Sequence, residues 1–306
     1  MLAKIRKKYG PYWQLYVFLL LPVIYILVFA YWPMFGLQIA FKKFTIVKGI
    51  WDSPWVGLKN FIKFFNAYQF SDVMFNTITL SLYAILAAFP FPILFALVLN
   101  TVEHPKLKKT VQTITYMPHF ISVVVIVGMM MQIFHPMAGL YGRFMHALTG
   151  EIPSDLFANP KAFPHLYVWS GVWQGFGYNS IIYIAALTNV SAEIHEAAEV
   201  DGASRFQRVI HVDFPALLPT ITIMLILRMG SIMSIGFEKT YLMQNSLNLS
   251  RSEIISTFVY KKGLGAGASN DYSYSTAIGM FNSVVNLILI SSVNWFSRRV
   301  SETSLW

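Results

Sequence analysis

Six apolar stretches divide the chain: approximately Trp13 to Leu37, Val73 to Leu99, Val111 to Phe134, His165 to Thr188, Ala216 to Gly236 and Ser275 to Phe296. Each is long enough to cross a hydrocarbon core, which takes about 20 residues of helix. Backbone polar groups in lipid find no water, so a spanning segment must close its own hydrogen bonds. The expected fold class is therefore all-α and integral to the membrane, with six transmembrane helices in one domain over residues 1–306. Composition agrees, since only 12% of residues are charged and 56% are hydrophobic, against roughly 25% charged in soluble domains. The absence of Cys excludes disulfides and thiolate metal sites. A net charge of +9 does not point to nucleic acid, because the basic residues are scattered between apolar runs. A membrane surface accounts for them.

The first stretch follows Lys4, Arg6, Lys7 and Lys8 as a signal peptide would, but it is too long and offers no small-x-small cleavage site. It is expected to remain as an anchor. With both termini inside, each side of the membrane carries eleven basic residues. The inner ones cluster tightly at helix ends (Lys106, Lys108, Lys109; Arg205, Arg208; Arg298, Arg299), and charges near span ends in short loops carry the most weight. That arrangement favours cytoplasmic termini.

Between the fourth and fifth stretches lies a charged segment, Glu196-Ala197-Ala198-Glu199-Val200-Asp201-Gly202-Ala203, followed by Val212, Phe214 and Pro215. Ser191 is placed to cap a short helix whose first turns carry Glu193, Glu196 and Glu199, where acids suit the positive end of the dipole. Gly202 is placed to end it. Ser204 and Gln207 have the spacing of a capping box, so a second helix is expected to start there and run into Pro215. The result is a helix-Gly-helix elbow, with Ala197 and Ala198 leaving one face almost bare for another backbone to approach.

The spacing Glu-Ala-Ala, three residues, Gly202, nine residues, Val212, one residue, Phe214-Pro215 resembles the EAA loop of ABC-importer permeases. The usual ending, Ile-x-Leu-Pro, is departed from at Val212 and Phe214 with apolar character kept. The pattern Trp55-Val56-Gly57-Leu58-Lys59-Asn60-Phe61 resembles the first outer loop of carbohydrate-importer permeases, and by its aromatic and basic residues Trp51 to Phe65 also suits a short helix at the membrane surface. The segment Trp169 to Ala203, with Tyr183-Ile184-Ala185-Ala186-Leu187 leading into the loop, resembles sugar permeases rather than amino-acid or metal permeases. Gly236-Phe237-Glu238-Lys239-Thr240-Tyr241, Thr257-Phe258-Val259-Tyr260 and Asn294-Trp295-Phe296-Ser297-Arg298-Arg299 are similar to the branch that handles complex oligosaccharides and polysaccharide fragments. The resemblance covers nearly the whole chain. It implies a type I ABC importer permease fold in the bacterial plasma membrane, a coupling loop over about 191–215, and ATPase-coupling roles for Glu196, Ala197, Ala198, Asp201, Gly202, Ala203 and Pro215. It also implies partners: a second permease, two ATPase subunits that hold ATP and Mg, and an extracytoplasmic sugar-binding lipoprotein. The chain itself would carry no cofactor and catalyse nothing.

Residues for the sugar path are sought among polar and aromatic side chains inside the spans. Trp173, Gln174, Tyr178 and Asn179 fall within two turns of the fourth, and sugars are held by aromatic faces with polar groups, although such aromatics also serve packing. Arg228 is the only basic residue near the middle of a span. Placing it there costs roughly 2.5 to 3.5 kcal/mol on the insertion scale, so it should face a wet cavity or a partner. It is either a structural tie or a counter-charge for an acidic, uronate-containing sugar. Asn282 and Asn286, one turn apart on the sixth span, could add hydrogen bonds. Pro90, Pro92 and Pro118 should kink their helices, and Gly171, Gly175 and Gly177 permit close packing.

Other chemistry finds no support. Gly263-Leu264-Gly265-Ala266-Gly267 lacks the Lys-Ser/Thr ending of a phosphate loop and reads as a flexible outer loop. The seven His, His119 and His135 included, show no spaced pair backed by carboxylates. A secondary transporter remains as an alternative, but it would want intramembrane carboxylates for ion coupling, and the six stretches contain no Asp or Glu. A membrane enzyme would want a catalytic set that is missing. An ABC permease for a non-sugar substrate is the remaining alternative.

Overall fold

The computed structural model describes residues 12–265 and 270–300. Lys4 to Lys8, and Ala266 and Gly267 of the glycine-rich run, lie outside them. Among the described residues the structure is helical, with one isolated antiparallel bridge between Lys42 and Trp55. The principal helices are α1 Trp13–Phe41, α2 Phe70–Asn100, α3 Pro105–Phe120, α4 Val123–Ile133, α5 Phe163–Asn179, α6 Ile181–Leu187, α7 Ala192–Val200, α8 Arg205–Gly230, α9 Phe237–Met243 and α10 Tyr272–Val300. By length and composition α1, α2, α8 and α10 can each cross a membrane alone, and α3 with α4 qualify as a bent pair meeting at 95°.

The difference from six straight runs sits in the third and fourth. Pro118, without an N–H, falls in a 3-10 turn over Met117–Phe120. Ile121 and Ser122 are then extended, and the Ser122 hydroxyl caps α4 by accepting from Val125 N at 3.4 Å. The fourth run is split at Ser180, whose hydroxyl donates to the Gly177 carbonyl at 2.5 Å. Pro90 and Pro92 have a milder effect: Phe89 keeps its bond to the Ile85 carbonyl at 2.9 Å, and α2 continues.

The chain divides into two compact units, residues 12–67 with 259–265 and 270–281, and residues 68–258 with 282–300. In the first unit, α1 passes from α-helix to a π turn over Leu27–Tyr31 and then to 3-10 helix over Trp32–Phe41. None of its first fourteen residues is buried. A helix apolar on every side needs lipid or protein around it. The Trp55 to Phe61 segment closes its far end: Asn60 donates to the carbonyls of Ala40 at 2.7 Å and Lys42 at 3.1 Å, and Gly57 turns at φ 60°. The expected surface helix forms in two pieces, Gly49–Asp52 and Lys59–Phe65. Phe64, 1% exposed, anchors the second piece against the rings of Tyr274 and Phe281.

In the second unit, Leu80, Ile126, Val127, Met130, Tyr167, Val168 and Val172 form one apolar core between α2, α4 and α5. Ile93, Leu97, Tyr183, Leu187 and Leu217 form another between α2, α6 and α8. The α3–α5 crossing is close enough that a Cβ on Gly177 would lie 2.3 Å from the Thr115 carbonyl oxygen, so that position requires glycine. Polar side chains hold the non-helical stretches. Asn248, fully buried, donates to the carbonyls of Phe157 and Met243, both at 2.9 Å, and accepts from Asn245 N and the Ser252 hydroxyl. Asn76 on α2 donates to the carbonyls of Ser250 and Glu253, and the Thr77 hydroxyl accepts from Ile255 N at 2.9 Å.

Replacing Asn248 by Leu takes the buried side-chain partner from the Met243 carbonyl and the Ser252 hydroxyl. Each buried group left unpaired costs roughly 1–3 kcal/mol. The purified Asn248→Leu variant should therefore melt well below the wild type, whereas Asn245→Ala at the half-exposed neighbouring position should lose much less; thermal unfolding in detergent compares the two.

Candidate functional site

Two regions gather the residues singled out from sequence. The elbow forms as its capping residues dictate. Ser191 accepts from Glu193 N at 3.2 Å to start α7. Gly202 ends it at φ 81°, with Ala203 N bonded to the Ala198 carbonyl at 2.9 Å. Ser204 and Gln207 then close a reciprocal capping box, with bonds of 2.8 and 3.3 Å, at the start of α8. α8 widens into a π turn over Val209–Asp213 before resuming as α-helix at Phe214. No residue of α7 is buried. Glu196, Ala197, Asp201, Gly202 and Pro215 are exposed, and Ala198 and Ala203 half-buried. Beside them Val200 is 88% exposed and Phe206 73%. Two large apolar side chains thus stand in solvent at the tip of a charged elbow.

The second region is a cavity of about 420 Å³ in the second unit, walled by α2, α5, α9 and residues 231–236. That volume is in the range of small-molecule sites, roughly 300–1,000 Å³. The 231–236 stretch follows the end of α8 and is non-helical. Its polar groups are met from two sides: Asn286 of α10 accepts from Met233 N at 3.1 Å and its amide donates to the Ser234 hydroxyl at 2.7 Å, and the Ser81 hydroxyl of α2 donates to the Ile232 carbonyl. Irregular backbone at membrane depth is tolerated where it lines a cavity, and broken helices commonly build transporter sites.

Of the candidates from sequence, Gln174, Asn179 and Arg228 line this cavity. Gln174 also donates to the Ile121 carbonyl at 3.1 Å, satisfying the break between α3 and α4. Trp173 faces elsewhere, into an apolar cavity of about 480 Å³ with Met130 and Trp169. Tyr178 stacks flat on His119, ring centroids 3.7 Å apart. Asn286 supports the cavity wall, and the buried Asn282 Oδ1 has no hydrogen-bond partner among the described residues.

Sequence reasoning missed Lys239. Lying outside the six apolar stretches, it is nonetheless 8% exposed and lines the same cavity as Arg228. Its Nζ donates to the Tyr167 carbonyl at 2.9 Å and sits 5.0 Å from that residue's ring. Among the described residues neither Lys239 nor Arg228 has a carboxylate within ion-pair distance, although the exposed Glu238 lines the cavity too. Burial lowers the Lys239 ammonium from its ordinary value to about 8. The sequence signal was faint: a Lys three residues after a Gly, where the chain leaves α8 and turns back. Among the described residues no cluster of His, Asp and Glu could hold a metal ion.

Residues 88–302 match the family of binding-protein-dependent transport system inner membrane components. Protein LplB of Bacillus subtilis (strain 168) is 40% identical over 95% of this chain and 91% of its own length. The polygalacturonan/rhamnogalacturonan transport system permease protein YteP of the same organism is 38% identical over 99% of this chain and 91% of its own. Among solved structures, a bacterial ABC transporter involved in the import of the acidic polysaccharide alginate contains a chain that superposes with a TM-score of 0.88. It is 36% identical, covering 97% of this chain and 99% of that one.

The lowered Lys239 value makes a pH signature. Between pH about 8 and the ordinary lysine range the unfolded chain holds a proton that the folded chain has released, so folding stability rises with pH across that window. Below it both states are protonated and the full burial cost stands. Wild type should gain on the order of 3 kcal/mol relative to a Lys239→Met variant between pH 8 and 10.5; melting curves of the two proteins across that range check it.

Proposed function

The chain belongs to the family of binding-protein-dependent transport system inner membrane components, and from that membership we propose that it is one permease subunit of an ATP-driven bacterial importer of acidic oligosaccharides. The observation that carries the acidic reading is the pair of cations, Arg228 and Lys239, lining one cavity without a carboxylate partner among the described residues. Lys239 is buried at the cavity wall and Arg228 is exposed there, and a cation without a counter-ion at such a wall is stabilised by an anionic ligand. The uronate units of pectin or alginate fragments supply carboxylates at regular intervals, and Gln174 and Asn179 offer amides for hydroxyl groups. The named relatives lend support: one is a polygalacturonan/rhamnogalacturonan permease, and a solved neighbour takes part in alginate import.

A second permease would complete the path, and an extracytoplasmic binding protein would deliver the sugar. A solved neighbour was crystallised with a periplasmic protein holding an alginate pentasaccharide. Two cytoplasmic ATPase subunits would hold ATP and Mg, receiving the elbow in a groove where Val200 and Phe206 bury and Glu196 and Asp201 meet basic groups. Both termini would then face the cytoplasm. ATP-driven closure of the ATPases would draw the elbows together and open the cavity outward; hydrolysis would return it.

Two experiments test this. With the complete transporter in proteoliposomes, Arg228→Gln and Lys239→Gln should each lower uptake of an oligogalacturonate by roughly tenfold, the effect of about 1.4 kcal/mol. Uptake of the same oligomer with its carboxyl groups reduced should change little; equal losses for both would leave the two cations only a structural role. The elbow is tested at Gly202. A Cβ there meets nothing within 4 Å, so the penalty of substitution comes from φ 81° alone, roughly 1–2 kcal/mol for most residues and less for Asn. Gly202→Val should abolish uptake with the ATPases still bound, and Gly202→Asn should retain most of it.

A further inference from the structure

The elbow has to be connected to the membrane helices by something, and apolar packing does not do it, because no residue of α7 is buried. Its side-chain ties are polar. Glu199 Oε2 lies 3.1 Å from Arg208 Nη1, which closes the elbow on itself. His195 Nε2 lies 3.3 Å from Asp213 Oδ1, and this tie reaches further. Asp213 ends the π turn of α8, its side chain only 3% exposed, and the same oxygen accepts from Asn100 Nδ2 at 3.2 Å. Asn100 is the last residue of α2. One buried carboxylate oxygen therefore joins the elbow helix, the foot of α8 and the foot of α2.

We propose that Asp213 is the node that passes displacement of the elbow to α2 and α8 together, with His195 as the positioning residue that delivers it. Both helices wall the cavity or end beside it, α2 through Ser81, Ala84 and Ala88 and α8 through Arg228. A buried carboxylate resists losing either partner, since a charge left unpaired away from water is strongly destabilising. When α7 moves, Asp213 follows His195, and Asn100 follows Asp213. The exposed pair Arg205–Glu103, 2.6 Å apart, runs beside this node and is too well solvated to carry the same load. The π turn concentrates the effect: the extra residue loosens α8 just where the pull arrives.

This inference rests on the elbow being the coupling element. The test uses the complete transporter, comparing sugar imported per ATP hydrolysed for His195→Ala, His195→Gln and Gly202→Val, with co-purification of the ATPases as the check on assembly. His195→Ala should keep ATP hydrolysis within about twofold of wild type while sugar per ATP falls roughly tenfold. His195→Gln, whose amide still donates to Asp213, should recover most of the ratio. A merely structural His195 would lower uptake and hydrolysis in constant proportion, and that result, or an unchanged ratio, overturns the node. If Gly202→Val also keeps a normal ratio with the ATPases bound, the coupling role of the elbow itself is wrong; if Gly202→Val uncouples and His195→Ala does not, only the node is wrong.

Discussion

Every unpaired backbone N–H and C=O in a lipid environment needs a partner, and the architecture of this chain is organised around where helices break and what satisfies the breaks. Continuous helices satisfy themselves. Each interruption is instead met by a particular side chain: Asn60 at the end of α1, Ser122 and Gln174 at the bend between α3 and α4, Ser81 and Asn286 beyond α8, and Asn248 under the 243–252 segment. Amide side chains recur because they offer two donors and an acceptor on a short stem.

These breaks are also what makes the interior usable. A bundle of unbroken apolar helices would close on itself, whereas the irregular 231–236 stretch opens a cavity and carries Lys239 back into it. The two cations there are then displayed by different elements, Arg228 by the end of α8 and Lys239 by α9. They are held unlike: Arg228 is exposed at the cavity wall, while burial brings the Lys239 ammonium down to about 8. A carboxylate ligand would favour the protonated lysine, so binding and charge support each other.

The elbow follows the opposite logic. Its helix α7 has no buried residue, and its side-chain ties to α8 are hydrogen bonds and ion pairs that have direction and little area. Directional ties hold the elbow to its neighbours without fixing it in one packed position.

Much of this was written in local sequence. The apolar runs set the helical class, and Ser191, Gly202, Ser204 and Gln207 specified the elbow almost residue by residue, because caps and positive φ depend on near neighbours alone. Pro118 announced a kink but not a 95° turn, since the depth of a bend depends on the side chains that accept it, here Gln174 and Ser122. The cavity was legible only in fragments. Gln174, Asn179 and Arg228 could be picked as polar residues within spans, but nothing local separated them from Trp173 and Tyr178, whose rings face other neighbours. Lys239 and Asp213 were beyond reach of the sequence. Each is an ordinary surface residue by position, and only the return of the chain into the bundle for Lys239, and the approach of Asn100 and His195 to the π turn for Asp213, removes it from water.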